Sequence, residues 1–152
     1  MNIIDRSGSC VVVIIIVDNK IYIANVGDSR AILSLNYGNE YLIDTEDHKP
    51  SNEKENARII EKGGQVYQTQ KPITGVENEA FNEQTLLGPT RFYGRLSLSW
   101  TIGVIEAKGV QFGGNPNVII SYPDIYCYDL EKDNFDFLLL GWDGIYDQIT
   151  SE

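Results

Sequence analysis

Residues 10–17 of this 152-residue chain form an unbroken apolar run that is almost entirely β-branched, Cys-Val-Val-Val-Ile-Ile-Ile-Val. β-Branched side chains are restricted at χ1, which disfavours a helix and favours a strand. A run without polar alternation is typical of a strand that is covered on both faces. The sequence therefore predicts a central β-strand here, since the run is far shorter than the roughly 20 apolar residues of a membrane helix.

The extended pattern continues after this run. Asp18 and Asn19 supply turn chemistry before a second extended segment at residues 20–26, so the two segments are predicted to form a hairpin. Further extended segments at 30–35 and 41–43 complete a predicted meander of about four strands.

A short helix is predicted over residues 52–62. Asn52 is a suitable N-cap, and Glu55 stands three residues later as a capping-box partner. Gly63 and Gly64 then provide a left-handed stop.

The later segments complete an α+β domain. The polar stretch between residues 67 and 90 is predicted to be a solvated loop, with 70–90 as an insertion or flap. Residues 124–130 and 135–140 flank a polar turn and are predicted to form a second hairpin. No linker divides the chain, so residues 1–152 are expected to belong to a single domain in which antiparallel sheets predominate.

Composition excludes several function classes. Twelve Lys and Arg against 22 Asp and Glu give a net charge of −10, which would repel nucleic acid. Cys10 and Cys127 form no CxxC pair, and His48 is the only histidine, so a zinc site is not expected. We expect an intracellular protein in a reducing compartment, and we interpret His48 as a residue that fixes a turn rather than as a base or ligand.

Two aspartates stand at the ends of apolar strands and next to glycine. They are Asp28, between Gly27 and Ser29, and Asp143, just before Gly144. Carboxylates in such positions suit a hard cation such as Mg²⁺ or Mn²⁺. Taken singly, each could instead cap a turn or the start of the next segment, so both alternatives remain open at this point.

A set of separated motifs resembles the metal-dependent type 2C serine/threonine protein phosphatases, also called PPM-type phosphatases, over residues 7 to 152. In chain order the motifs are Ser7-Gly8-Ser9, Ala24-Asn25-Val26-Gly27-Asp28-Ser29-Arg30-Ala31, Asp47-His48-Lys49-Pro50, Glu55, Arg58-Ile59, Gly63-Gly64, Gly94-Arg95-Leu96-Ser97-Leu98-Ser99, Gly103, Pro123-Asp124-Ile125 and Asp143-Gly144-Ile145-Tyr146-Asp147.

The resemblance implies two packed, mainly antiparallel β-sheets flanked by helices, here truncated at both ends. It also implies a cluster of Mg²⁺ or Mn²⁺ ions whose bound water attacks phosphoserine or phosphothreonine in a phosphoprotein. Asp143 matches a ligand of the central metal pair, and Asp28 matches a ligand of an additional metal. A phosphoprotein is the implied substrate or partner, with no nucleic acid and no membrane.

Departures from the family pattern imply that this chain does not hydrolyse phosphate esters alone. The family's phosphate-binding arginine and its Asp-Gly-His-Gly metal motif have no counterpart before Ser7. Trp100 and Val104 stand where the family has an arginine and an aspartate, and Trp142 replaces a small residue. The alternative is a pseudophosphatase that binds phosphoproteins without turnover.

Overall fold

The computed structural model describes residues 6–43, 45–72, 85–92, 96–131, 134–146 and 148. The strands in that part are β1 (Gly8–Ser9), β2 (Val11–Val17), β3 (Lys20–Val26), β4 (Arg30–Leu35), β5 (Glu40–Ile43), β6 (Val66–Pro72), β7 (Thr85–Phe92), β8 (Ile102–Gly103), β9 (Asp124–Asp129) and β10 (Phe135–Gly141). The helices are α1 (Glu53–Glu61), α2 (Ile105–Lys108) and α3 (Asp143–Tyr146), with a 3-10 turn at Val110–Phe112. None of these helices has the length and apolar character needed to span a membrane.

Two three-stranded antiparallel sheets form the centre of the described structure. One has the strand order β2-β3-β9 and the other β10-β4-β5. Ile21 and Ile23 of β3 share one apolar cluster with Ala31 and Leu33 of β4, and all four are at most 2% exposed. The prediction of an α+β protein with mainly antiparallel sheets is confirmed.

The first hairpin is confirmed, but the four-stranded meander is wrong. β2 and β3 pair antiparallel across the Asp18–Asn19 turn, from the Val17–Lys20 pair to the Val11–Val26 pair. After Val26 the chain crosses to the other sheet, where β4 pairs with β5 and β10. The extended pattern indicates strands, but the change of direction at residues 27–29 decides which sheet each strand joins.

β2 is the outer strand of its sheet among the described residues, so the prediction of a central strand is wrong. Val12 and Ile14 contact the core cluster, whereas Ile15, Ile16 and Val17 are 54%, 59% and 50% exposed. β-Branching favours extended backbone at any position in a sheet, and it therefore does not report how many neighbours a strand has.

The second predicted hairpin is also wrong, because its two strands lie in different sheets. β9 pairs with β3, while β10 pairs with β4. Tyr126 and Tyr128 of β9 and Phe135 and Leu138 of β10 contact the same apolar cluster. The connection therefore crosses between the facing sheets, and each strand contributes its inner face to the core from its own side.

Helix α1 begins and ends as predicted. The Asn52 side chain accepts a hydrogen bond from the Lys54 N–H at 3.0 Å, and Gly63 follows the helix with a φ of +83°. Ile59 on its inner face is fully buried against Val118 and Ile119. This second apolar cluster anchors the helix to the segment that precedes β9.

The prediction of a solvated loop between residues 67 and 90 is wrong at both of its ends. β6 and β7 pair antiparallel, from the Val66–Phe92 pair to the Pro72–Thr85 pair. Residues 73–84 lie outside the described part. The assignment of 70–90 as an insertion or flap, and of 1–152 as one domain, stays a prediction.

Replacing Ile15 by lysine is expected to lower self-association of the chain. Within the described part of the chain the outer edge of β2 is apolar and pairs with no strand, and such an edge is a template for pairing with another chain. Since Ile15 is half exposed, the free energy of unfolding should change by less than about 1 kcal/mol. Sedimentation velocity and urea unfolding measure the two effects.

The matched control is Ile23→Ala on the neighbouring strand. Ile23 is fully buried, so truncating it should cost about 2–5 kcal/mol. A loss of stability in Ile15→Lys as large as that of the control would contradict the edge position of β2.

Candidate functional site

Asp28 and Asp143 lie at the same end of the two-sheet core. β4 and β10 pair antiparallel with Arg30 opposite Gly141. Asp28 precedes Arg30 by two residues and Asp143 follows Gly141 by two, so the pairing brings both aspartates to one end of the strands. The Cys10 thiol is near enough to both carboxylates for each negative charge to raise its pKa.

Asp28 is a buried carboxylate with a partner on each oxygen. Asp28 is only 7% exposed to solvent. The Cys10 thiol donates to Oδ1 at 3.2 Å, and the Lys49 ammonium lies 3.4 Å from Oδ2. Because a carboxylate removed from water needs such partners, these two side chains make the buried position tenable.

Cys10 lies directly against the backbone of Gly27. The two residues stand one step beyond the last paired residues of β2 and β3. Gly27 has a φ of +113°, and a Cβ there would come within 2.3 Å of the Cys10 sulfur, so only glycine fits. Burial first, and then the neighbouring carboxylates, raise the pKa of the Cys10 thiol to about 11. The thiol therefore remains a protonated donor to Asp28.

A second carboxylate, Asp47, extends the charged cluster. Arg30 donates to it from Nε at 2.7 Å and from Nη2 at 2.9 Å, and the Lys49 ammonium lies 3.3 Å from it. Burial acts to raise the pKa of Asp47, but Arg30 and Lys49 together hold it below the usual value. Lys49 thus bridges Asp28 and Asp47. The Tyr146 ring lies 4.9 Å below the Arg30 guanidinium and ties α3 to the cluster.

Asp143 is the exposed member of the pair. It begins α3, and its Oδ1 accepts a hydrogen bond from the Gly144 N–H at 2.7 Å. Trp142 is 63% exposed, and its indole lies over Gly144. Asp143 therefore contacts only the next residue of the chain through this bond, which is not the contact of an N-cap, and its carboxylate remains open to solvent. Asp147, the last residue of this motif, lies outside the described residues.

The donor chemistry of Asp28 and Asp143 fits a hard cation, because Mg²⁺ and Mn²⁺ prefer carboxylate oxygen. Over the described ranges of the chain, no group of three or more His, Cys, Asp or Glu side chains is arranged to hold a metal ion. These residues therefore fit part of a metal-binding set rather than a full one.

His48 forms two hydrogen bonds with the backbone of Gly27, the residue before Asp28. The Gly27 N–H donates to its Nδ1 at 3.0 Å, and the His48 N–H donates to the Gly27 carbonyl at 3.1 Å. Its Nε2 lies 3.0 Å from Asp124, and its ring stacks on Trp100 with centroids 4.0 Å apart and planes 2° from parallel. This geometry agrees with the interpretation of His48 as a residue that fixes a turn.

Glu55 is not a capping-box partner of Asn52, and that prediction is wrong. Its buried carboxylate accepts from Arg58 Nε at 3.0 and 2.9 Å, from Trp100 Nε1 at 3.1 Å, and from the Ser99 hydroxyl. Three donors outside the first helical turn compete successfully for the carboxylate. Glu55 therefore joins α1 to the segment that carries Trp100.

Sequence reasoning missed Cys10 and Lys49 as partners of Asp28. The two-residue hairpin turn sets the pairing of β2 and β3, and this register would have placed Cys10 opposite Gly27. For Lys49 there was no comparable local signal, because it reaches Asp28 from a distant part of the chain.

The segment that departs from the family motif carries backbone strain. Val104 has a φ of +49° and follows Gly103 at +75°. A left-handed conformation costs a β-branched residue about 1–2 kcal/mol, whereas an aspartate tolerates it better. Trp100, in the same segment, donates its indole N–H to the Glu55 carboxylate. Gly94 and Arg95 lie outside the described residues.

Solved structures share this architecture. A serine-threonine phosphatase 2C from Toxoplasma gondii matches with a TM-score of 0.60 and 18% identity, over 95% of this chain and 44% of that one. A sex-determining protein of C. elegans matches with a TM-score of 0.61 and 25% identity, over 87% of this chain and 26% of that one. The fold is thus that of the type 2C phosphatases.

Sequence comparison identifies the family. The model of the family "Protein phosphatase 2C" matches residues 2–152. The chain is 34% identical to "Protein phosphatase 2C homolog 3" of Schizosaccharomyces pombe and 32% identical to "Protein phosphatase 1L" of Bos taurus, over 97% of its own length in both cases. It spans 30% and 34% of those relatives. The chain belongs to the protein phosphatase 2C family, which is generally metal-dependent.

Thiol titration should separate the two cysteines. Cys127 is exposed, whereas Cys10 is partly buried and its raised pKa keeps its thiol protonated. With an aromatic disulfide reagent at mildly alkaline pH, Cys127 should react at least roughly a hundredfold faster. Cys127→Ser should remove the fast phase, and two equal rates in the parent chain would contradict the partial burial of Cys10.

Asp47→Asn should destabilise the chain near neutral pH by about 1–3 kcal/mol, because Arg30 and Lys49 lose a charged partner. The folded pKa of Asp47 lies below its unfolded value, so its contribution is present above the unfolded value and disappears as pH falls through the folded one. Urea unfolding at neutral and at acid pH should show the difference shrinking on acidification. A difference that does not depend on pH would argue against the ion pairs.

Proposed function

We propose that this chain carries part of the active site of a metal-dependent protein serine/threonine phosphatase, with Asp28 and Asp143 as oxygen ligands for Mg²⁺ or Mn²⁺. The observation that carries this proposal is the pairing of β4 with β10, which brings the two aspartates to one end of the core. Family membership supports the reaction class, hydrolysis of phosphoserine or phosphothreonine.

The two aspartates would contribute differently to a metal site. Metal ions in such a site lower the pKa of bound water and neutralise charge on the reacting oxygens. Asp143 is open to solvent and can accept a cation without losing a strong partner. Asp28 is buried and already faces Lys49, so a cation there would share or displace that ammonium. We therefore expect Asp143 to dominate the affinity.

The same proposal holds that these 152 residues do not turn over a phosphate ester by themselves. Two carboxylates are too few to hold a metal pair and orient its water. Arg30 and Lys49 are the cationic groups beside them, and both already contact Asp47. Under this proposal, activity would require ligands from outside these 152 residues.

A catalytically dead phosphoprotein-binding module is the second candidate. The observation that favours it is the environment of Trp100, whose indole is stacked on His48 and hydrogen-bonded to Glu55. Trp100 therefore stabilises the fold through these contacts. Its neutral indole cannot offer a phosphate the positive charge of an arginine. In either case family membership supports a phosphoprotein partner, and the net charge of −10 argues against nucleic acid. The free thiols of Cys10 and Cys127 support an intracellular location, in the cytoplasm or nucleus.

Calorimetric titration with Mn²⁺ tests the metal ligands. The chain should bind Mn²⁺ weakly, and Asp143→Asn should lower the affinity by roughly tenfold or more because a charged ligand becomes a neutral one. Asp28→Asn should lower it less. Asp18→Asn is the matched control, since Asp18 lies in the turn at the opposite end of the β2–β3 pair.

Hydrolysis of a phosphothreonine peptide, measured in the same Mn²⁺ buffers, tests the claim of inactivity. We expect no turnover above the metal-only background. Turnover that Asp143→Asn abolishes would overturn that claim while supporting the ligand assignment. If Asp143→Asn, Asp28→Asn and the Asp18→Asn control all bind Mn²⁺ with equal affinity, Asp28 and Asp143 are not metal ligands.

A further inference from the structure

The backbone that carries Asp28 is held by one residue, through one hydrogen bond to its side chain and one from its backbone. Gly27 directly precedes Asp28, and both of its polar backbone groups are satisfied by His48, the N–H by Nδ1 at 3.0 Å and the carbonyl by the His48 N–H at 3.1 Å. Gly27 and His48 are buried, so neither interaction is readily replaced by water. Two hydrogen bonds to one residue fix both the position and the direction of the peptide that leads into Asp28.

The hydrogen bonds also determine the state of the imidazole. Because the Gly27 N–H must meet a lone pair, Nδ1 is unprotonated and the ring proton sits on Nε2. That N–H then donates to the Asp124 carboxylate at 3.0 Å. Both nitrogens of His48 are therefore committed, which leaves the ring no role as a general base in this arrangement.

Trp100 fixes the plane of the imidazole. The indole stacks face to face on His48, with centroids 4.0 Å apart. The indole is itself held by Glu55 at Nε1, and the Arg58 guanidinium lies 5.8 Å from its ring. Rotation of the imidazole would break the stack and both ring hydrogen bonds together, so the contacts support one another.

We propose that His48 is the positioning residue for the Asp28 carboxylate, and that Trp100 sets the orientation of His48. The effect on metal binding rests on the function proposed above, whereas the effect on the geometry of Asp28 does not. Partners outside the first ligand shell commonly change metal affinity by 10–100-fold when removed, and loss of His48 should act at the lower end of that range because Asp143 remains.

Three substitutions separate the contacts. His48→Phe keeps a ring that can stack on Trp100 but has no acceptor for Gly27 and no donor for Asp124. His48→Asn restores an acceptor close to the position of Nδ1. Trp100→Leu leaves His48 intact and removes the stack. Tyr37→Leu, an aromatic deletion at a 91% exposed site, is the control for Trp100→Leu.

Two readouts do not require a metal. In the ¹⁵N-labelled chain, a coupling across the hydrogen bond should join the Gly27 amide to His48 Nδ1, and the Gly27 amide should exchange slowly with solvent. In His48→Phe the coupling disappears, the amide should exchange at least roughly tenfold faster, and Cys10 should gain reactivity as Asp28 moves away from its thiol. His48→Asn should recover most of the protection of Gly27 and of Cys10.

Mn²⁺ affinity measured on the same proteins completes the test. We expect a loss of roughly tenfold in His48→Phe, a smaller loss in Trp100→Leu, and recovery in His48→Asn. Unchanged Gly27 protection and Cys10 reactivity in His48→Phe would overturn the positioning role. Lost protection with unchanged Mn²⁺ affinity would overturn its link to the metal.

Two further outcomes, no Mn²⁺ uptake by the parent chain and a His48→Phe variant that does not fold, still decide the positioning role of His48. If the parent chain takes up no Mn²⁺, the proposed function fails, and Gly27 exchange and Cys10 reactivity alone decide the positioning of Asp28. If His48→Phe does not fold, Trp100→Leu carries the test, because it should loosen the Gly27 amide and free the Cys10 thiol without touching a hydrogen bond of His48. Behaviour identical to Tyr37→Leu would then overturn the proposal.

Discussion

The chain passes from one central sheet to the other within residues 27–29, and the described structure depends on this crossing. The turn is possible because Gly27 adopts a φ of +113° and has no Cβ to collide with Cys10. The crossing brings β3 and β4 face to face, so that Ile23 and Ala31 join one core. It also ends with Asp28 in a buried position. One steric constraint therefore determines both the contact between the sheets and the location of a charged group.

That charged group is kept in the folded state by its neighbours. Around Asp28 and Asp47, the cations Arg30 and Lys49 neutralise the two carboxylates. Asp143, at the same end of the core, adds a third negative charge that is open to solvent. Among these five described side chains, two cations facing three carboxylates leave one negative charge in excess, which favours the approach of a cation even though the local ion pairs are satisfied.

Local sequence predicted the elements better than their partners. The turn chemistry at Asp18 and the caps of α1 act over a few residues, so the first hairpin and the helix were predictable. Whether β9 pairs with β3 or with β10 depends on side chains far apart in the chain, and the polar turn between β9 and β10 does not encode it. For the same reason the exposed edge of β2 could not be predicted from its apolar run.

The candidate site divides in a similar way. Asp28 and Asp143 were identifiable because each follows an apolar strand beside glycine, and the motifs around them resemble one family. Glu55 was assigned to the wrong partner, since the capping-box rule considers one turn of helix and not the distant Trp100 and Ser99. The link between His48 and Gly27 required the crossing between the sheets, which no local pattern reveals.

The arrangement of Trp100 gives the molecule two contrasting optical probes. The chain has two tryptophans, and Trp142 is 63% exposed beside Asp143 whereas Trp100 is partly covered and stacked on His48. A dissolved quencher therefore reaches the Trp142 indole first, and the light that remains comes mainly from the stacked indole. The red component of the intrinsic emission thus originates at Trp142, beside the solvent-facing Asp143, and the blue component originates at Trp100, beside the imidazole of His48.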